Sequence, residues 1–317
     1  MTDQFGRIAT LIIMPPDTTH GLDLSELQFR FQVRQSDVTT PNNAVIRVHN
    51  VSRETSQKVQ KEFTKVVLQA GYRDNFAIIF QGEIKQVRRG KSSATDSYLD
   101  LLCADGDLAH NFAVVRQSVA AGGTYQDQFG VLMKAMKERG VDTGYVDPIA
   151  GPVMVRGKVL YGMARDGLRT LADSIGMGWS IQDGKVQMVL RDGYVPGREA
   201  VRINSRTGMV GIPEQGEDGI RVTTLLNPML KIGTLVELNE NDINKLTNTV
   251  PSSPVPFDRY VGLQLLAPVA PGDGLYRLYV VEHEGDTRGN EWYSHLTCLA
   301  IDRTTGKLYR APVAEPP

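Results

Sequence analysis

Asn227-Pro-Met-Leu-Lys-Ile-Gly233 runs into Thr234-Leu-Val-Glu-Leu238; after a polar insertion come Leu275-Tyr-Arg-Leu-Tyr-Val-Val-Glu-His283 and Glu291-Trp-Tyr-Ser-His-Leu-Thr-Cys-Leu-Ala300. The first segment is a turn leading into a strand. The other two are apolar strands joined by the polar Glu284–Asn290, which holds two glycines. Such a unit reads as one end of a small β-barrel.

A second unit of the same kind lies near the N-terminus. Gly82-Glu-Ile-Lys-Gln-Val-Arg-Arg89 and a polar loop are followed by Tyr98-Leu-Asp-Leu-Leu-Cys-Ala-Asp105. In both units an aromatic residue opens the return strand, a cysteine lies within it and an aspartate, Asp105 or Asp302, closes it. A chain with two such barrels presents two similar faces. Three chains in a ring would present six, which suits an adaptor between six-fold and three-fold assemblies.

Between and around these units the pattern predicts further elements. Arg7–Met14 is a strand stopped by Pro15-Pro16, and Leu27–Arg34 alternates apolar and polar residues. Ala44–His49 is a strand, and Ser52 caps a short helix with Val59, Phe63 and Val66 as its apolar stripe. Val67–Tyr72, Phe76–Phe80, Gly82–Val87 and Ser97–Asp105 are strands, with a bulge or sharp bend at Gly82 and a basic turn over Arg88–Thr95. Tyr125–Arg139 and Ala164–Ile175 are helices, and Val141–Pro152 is irregular. Gly178–Ile181 and Lys185–Leu190 form a hairpin on the Asp183-Gly184 turn. Gly211–Gly219 is a polar connector and Glu240–Arg259 an exposed loop.

The expected fold is therefore α+β, predominantly β: two small tube-like β-barrels with an inserted helix-plus-hairpin module. Residues 1–110 form the first barrel domain with one short helix, 111–193 the inserted α+β module, 194–310 the second barrel domain and 311–317 an extended tail.

Composition excludes several classes. The 317 residues are 41% hydrophobic and 22% charged, with a formal net charge of −1. That balance fits neither a nucleic-acid binder with a broad basic surface nor a disordered chain. No apolar run is long enough to span a bilayer, and the N-terminus carries no secretory pattern. The two cysteines, Cys103 and Cys298, sit in apolar strands and are expected to be buried and inert.

No nucleophile elbow, zinc helix, Walker A loop or dinucleotide fingerprint is present, so no catalytic, cofactor-binding or metal-binding residue is assigned. The histidines His20, His49, His110, His283 and His295 are scattered. Glu282, His283, Glu284 and Asp286 are the one cluster of ligand-type residues, but strand alternation sets His283 on the face opposite Glu282 and Glu284. Asp105 and Asp107 read as turn residues, Arg88–Lys91 as a solvated hairpin tip and Trp179 as core.

Four stretches together resemble the baseplate hub proteins of contractile-tailed bacteriophages. They are Val45–Thr55; Leu68–Tyr72 with Ile79–Ile84; Gly167–Gly176 with Trp179–Gly184; and Leu225–Gly233 with Tyr279–Asp286 and Trp292. The resemblance implies a structural, non-enzymatic homotrimer in the virion's tail baseplate, assembled in the host cytoplasm. It implies tail tube proteins, a central spike protein and other baseplate proteins as partners, and a lumen that could pass DNA transiently. It implies no cofactor. With no lysozyme-like extension after Asp302, wall cleavage is expected to reside in another chain. The Glu240–Arg259 loop and the tail are expected to order on partners. Two rival readings are a peptidoglycan-binding or wall-degrading tail component using Trp179, and a tail tube subunit.

Overall fold

The computed structural model describes residues 6–16, 21–197, 199–216, 219–239, 274–302 and 305–308. The expected Glu240–Arg259 loop and the 311–317 tail lie outside them.

The chain begins with β1 (Arg7–Met14), β2 (Leu22–Asp23), β3 (Phe29–Ser36) and β4 (Asn43–His49). On β3 the alternation holds: Phe29, Phe31 and Val33 are buried while Arg30, Gln32 and Arg34 face outward. Helix α1 (Arg53–Glu62) starts where Ser52 Oγ accepts the Thr55 N–H at 3.0 Å. Of the expected stripe only Val59 lies on it. The backbone is already extended at Phe63, and Val66 belongs to β5 (Lys65–Tyr72), which is zipped to β1 over its whole length. A full strand ladder outcompetes one more helical turn.

The next strand, β6 (Asn75–Lys91), is longer than expected and pairs with β7 (Ser97–Ala104). The expected Arg88–Thr95 turn shrinks to Ser92–Asp96, because Arg88, Arg89 and Lys91 still face β7 residues in register. The expected bend at Gly82 takes the form of two bulges flanking it, at Ile79 against β5 and at Lys85 against β7. At Gly82 itself an added Cβ would lie 2.5 Å from the Ala104 carbonyl oxygen. Gly82→Ala is therefore expected to cost roughly 1–3 kcal/mol, measurable as a lowered urea midpoint.

Next come α2 (Asp107–Phe112), β8 (Val114–Val119), α3 (Tyr125–Lys137), β9 (Asp142–Val146), β10 (Lys158–Met163), α4 (Ala164–Ser174), β11 (Met177–Gln182) and β12 (Lys185–Leu190). Thr124 and Asp127 form a reciprocal capping box for α3, whose Phe129, Leu132, Met133 and Met136 are buried. Asp183 and Gly184 both take positive φ at the β11–β12 turn, as its two-residue length demands. The stretch expected to be irregular, Val141–Pro152, contains β9, which is held in parallel against β12 by backbone bonds despite carrying no apolar alternation. The sheet of β8 and β10 also lacked a sequence signal, because its outward face keeps Val159 and Tyr161 exposed.

The remainder is β13 (Val201–Arg202), β14 (Met209–Gly216), β15 (Gly219–Leu225), β16 (Leu235–Leu238), β17 (Gly274–Asp286), β18 (Trp292–Asp302) and β19 (Lys307–Leu308). The expected Gly211–Gly219 connector is mostly the edge strand β14, whose partner β15 supplies the ladder that its own polar sequence does not advertise.

These strands make a predominantly β molecule. The large sheet runs β14-β15-β18-β17-β3-β4-β7-β6-β5-β1-β2, with β16 also on β17, β13 on β16 and β19 on β18. Its two ends, β14 and β2, do not pair with each other among the described residues. Within it the same five-strand order occurs twice: β3-β4-β7-β6-β5 and β14-β15-β18-β17-β16. In both, an antiparallel hairpin is followed by three strands in sequence, the last of which inserts beside the hairpin. The two cysteines mark matching positions. Cys103 faces Ile84 immediately before the Lys85 bulge, and Cys298 faces Leu278 immediately before the Tyr279 bulge.

Buried side chains gather in three clusters, one around Phe29, Leu68 and Leu101, one around Met136, Leu168 and Trp179, and one around Val236, Tyr276 and Leu296. Leu226 and Trp292 cross over, from the later part of the chain into the first cluster. The segment with the second cluster docks on the first through polar contacts. Asn42 Nδ2 donates to Gln182 Oε1 at 2.7 Å and Ile181 O at 3.1 Å, and Gln182 Nε2 donates to Ser36 O at 2.8 Å.

Candidate assembly surface

Strand β17 changes partner along its length. Gly274–Arg277 pairs with β16, the Tyr279 bulge intervenes, and Val280–Asp286 pairs with β3 of the first unit. A bulge sharpens strand twist locally, which lets one strand serve two neighbours. The outward faces of this joint carry opposite charges. Arg34 lies 3.1 Å from Glu282, and Arg30 lies 2.6 Å from Asp286, which also accepts from Gln28 at 3.3 Å. The Asp286 carboxyl is held below the usual range: burial alone would raise it, but the Arg288 N–H, Gln28 and Arg30 together outweigh that.

Strand alternation sends His283 inward, fully buried, while Glu282 and Glu284 stay at the surface. His283 Nδ1 lies 2.8 Å from Ser294 Oγ, which also accepts the Asn227 N–H at 3.1 Å. Burial, with Lys231 and His295 nearby acting in the same direction, depresses His283 to about 3, so it stays neutral. Glu284 instead takes His295 Nε2 at 2.8 Å, and the other ring nitrogen of His295 faces Thr223 at 3.1 Å. Glu282 and His295 line a groove of about 780 Å³ beneath the β14–β15 hairpin, with Arg34, Glu214, Arg221 and Ile212 on its walls.

The Asn227 turn clasps the joint from the other side. Its side chain accepts from the Met229 N–H and from Asn75 Nδ2 at 2.9 Å, which ties it to the tight β5–β6 turn. Lys231 Nζ reaches Ile78 O at 3.2 Å and Asp183 at 3.0 Å, so one ammonium links both five-strand units and the β11–β12 turn. Trp292 is buried edge-on against Phe31, with the Arg7 guanidinium 5.7 Å from its ring centre.

The other singled-out residues fall elsewhere. Asp105 is buried and accepts the Gly184 N–H at 2.8 Å, whereas Asp107 opens α2 and pairs with Lys85 at 3.0 Å, so the two acids serve different contacts. Trp179 is 2% exposed within the second cluster and offers no face on which a sugar could stack. Arg88, Arg89 and Lys91 are exposed along β6. Cys103 and Cys298 are buried and their thiols are pushed up to about 12 by desolvation. His49 ends β4 and donates its backbone N–H to the Gln28 carbonyl oxygen, His110 sits in α2 beside Arg165 and Asn111, and His20 is outside the described residues. Among the described residues no three His, Cys, Asp or Glu side chains converge as metal ligands.

Sequence reasoning missed one pair. Arg277 is 3% exposed and donates to the Asp37 carboxylate after β3, and its other terminal nitrogen points to the Arg191 carbonyl oxygen after β12. The signal was an arginine between Tyr276 and Leu278 in an otherwise apolar strand.

Comparison with known proteins places this architecture. The profile of a family described as baseplate hub gp41 matches residues 22–250. No curated protein sequence matches the chain. Among solved structures, a tail protein from Neisseria meningitidis MC58 superposes with a TM-score of 0.59 at 12% identity, covering 94% of this chain and 97% of that one. The 43 kDa tail protein of prophage MuSo2 from Shewanella oneidensis gives 0.56 at 8% identity, covering 92% and 98%. The E. coli c3393 protein, a type VI secretion component described as similar to the T4 tail proteins gp27 and gp5, gives 0.55 at 11% identity, covering 95% and 79%. These likenesses establish a shared fold.

Proposed function

This chain belongs to the baseplate hub gp41 family of phage tail proteins, and from that premise we propose that it forms a homotrimeric ring joining a six-fold tail tube to a three-fold central spike. The observation that carries the reading is the doubled strand order, β3-β4-β7-β6-β5 and β14-β15-β18-β17-β16. One subunit with two copies of a unit offers two similar faces, and three subunits offer six. Each unit, with residues 1–110 and 194–310 as its bounds, would complete a tube-like barrel in the ring, and residues 111–193 would stand as an inserted module. The trimer's partners are then the tube proteins on one side and the spike and other baseplate proteins on the other, with a lumen between them that could pass DNA. The ring assembles in the host cytoplasm and is a scaffold without catalysis.

The ring and the tube-subunit readings differ in mass. Light scattering on the purified chain at rising concentration is expected to approach three times the chain mass. Hexamers or long polymers would favour a tube subunit instead. The wall-binding reading has lost its anchor, since Trp179 is enclosed.

A further inference from the structure

Among the described residues the two five-strand units share one strand-to-strand joint, β17 against β3, and the matching edges of β6 and β14 face no strand. In the second unit, the part of β17 beyond its bulge pairs with β3, the first strand of the first unit. In the first unit, the matching part of β6 beyond the Lys85 bulge, Gln86–Lys91, pairs with β7 on one side and, among the described residues, with no strand on the other. The first strand of the second unit, β14, likewise pairs only with β15 among the described residues. Among the described residues each chain thus has one used joint and the two halves of an unused one.

We propose that the open edge of β6 pairs antiparallel with β14 of a neighbouring copy, repeating between chains the joint that β17 and β3 make within one. The register follows from the matched cysteines and bulges. Aligning Lys85 with Tyr279 sets Arg89 level with His283. Ala44 and Ile220 face Cys103 and Cys298, and their hairpin partners are Val33 and Gln215, so Gln215 is level with Val33. His283 faces Val33 in the existing joint. Arg89 therefore faces Gln215 of the neighbouring copy, with Arg88 opposite its Gly216 and Gly90 opposite its Glu214.

Charge supports this pairing. The internal joint sets an acidic β17 against a basic β3, and the open one exchanges the signs. Arg88, Arg89 and Lys91 line β6, while β14 brings Glu214. Diagonal neighbours in an antiparallel pair lie within reach of long side chains, which brings Arg88 to Glu214. Val210 and Ile212 are 40% and 68% exposed on β14, apolar surface that a second copy would cover. The ladder is short, because the Gly211–Pro213 excursion breaks register with β15 and Pro213 has no N–H to give. The same features discourage promiscuous edge pairing and leave a defined partner favoured.

This inference rests on the ring proposed above, and the test separates the two. The full chain carrying R89C and Q215C together is treated with a short bis-maleimide, beside each single variant. Cys103 and Cys298 are buried and contribute little background. The expected result is a dominant covalent trimer for the double variant and uncrosslinked chain for both singles. Light scattering that shows a trimer with no crosslink would overturn the edge assignment while leaving the ring. A monomer at every concentration, again with no crosslink, would overturn both.

Discussion

Asp37→Ala is expected to lower folding stability by about 3 kcal/mol. The cause lies with its partner. Arg277 is 3% exposed, its guanidinium donates to Asp37 and points weakly at the Arg191 carbonyl oxygen 3.5 Å away, and its Nε has no partner among the described residues. Burial lowers Arg277 only to about 10, so it remains charged at neutral pH. Removing the carboxylate would strand that charge in a site that water reaches poorly. The contact also joins three parts of the chain, since Asp37 follows β3, Arg191 follows β12 and Arg277 lies on β17. Arg277→Met should cost less, because it leaves a carboxylate with some solvent access and fills the space with apolar volume. The double variant D37A/R277M is expected to recover most of the loss. Urea denaturation of all four proteins gives the coupling, and single and double variants that differ by less than about 0.5 kcal/mol would sink the assignment.

The sequence was most legible where one face of a strand is buried. Phe29, Phe31 and Val33 announce β3, because alternation is the direct imprint of a one-sided core, while the Thr234–Leu238 and Leu275–His283 runs announce β16 and β17 as short, mostly apolar segments between turn signals. The Asp183-Gly184 turn was equally plain, since few residues tolerate positive φ at both positions. The stretches that misled share one property: their pairing is carried by backbone. β9 and β14 hydrogen-bond to a neighbour while their side chains follow no pattern, so glycine and proline suggested loops. The likeness of the Cys103 and Cys298 hairpins was visible as composition, but its meaning was not. The matched bulges and the doubled strand order are facts of pairing that no single strand carries. The candidate surface shows the same division. Alternation along one strand is enough to part His283 from Glu282 and Glu284, whereas the contacts of this segment with β3 join residues some 250 positions apart.

Asp105→Asn is expected to stabilise the protein by roughly 2–4 kcal/mol above pH 7 and to do almost nothing near pH 4. Asp105 is 2% exposed at the seam where the β11–β12 turn meets the first unit. Burial pushes its carboxyl up to about 7, the negative charges of Asp183 and Glu83 add to that, and the Gly184 N–H only partly opposes it. In the unfolded chain the same carboxyl titrates near 4. Between those values the unfolded chain has released the proton and the folded one retains it, so stability falls as pH rises. Asparagine keeps an oxygen for the Gly184 N–H and never ionises, which removes that slope. His283 acts with the opposite sign: depressed to about 3 when folded, it makes stability fall as the pH drops below about 6.5. The wild-type profile therefore blends two opposing slopes, and the informative quantity is the difference between Asp105→Asn and wild type. That difference, from urea melts at pH 4.5, 6, 7 and 8, should climb steadily and level off above 7. A difference that stays flat would mean Asp105 is ionised throughout, with the seam held by the carboxylate's charge rather than by its proton. A climbing one means that alkaline pH loosens the seat of the inserted module on the first unit before it touches the β17–β3 joint, whose buried histidine is already neutral there.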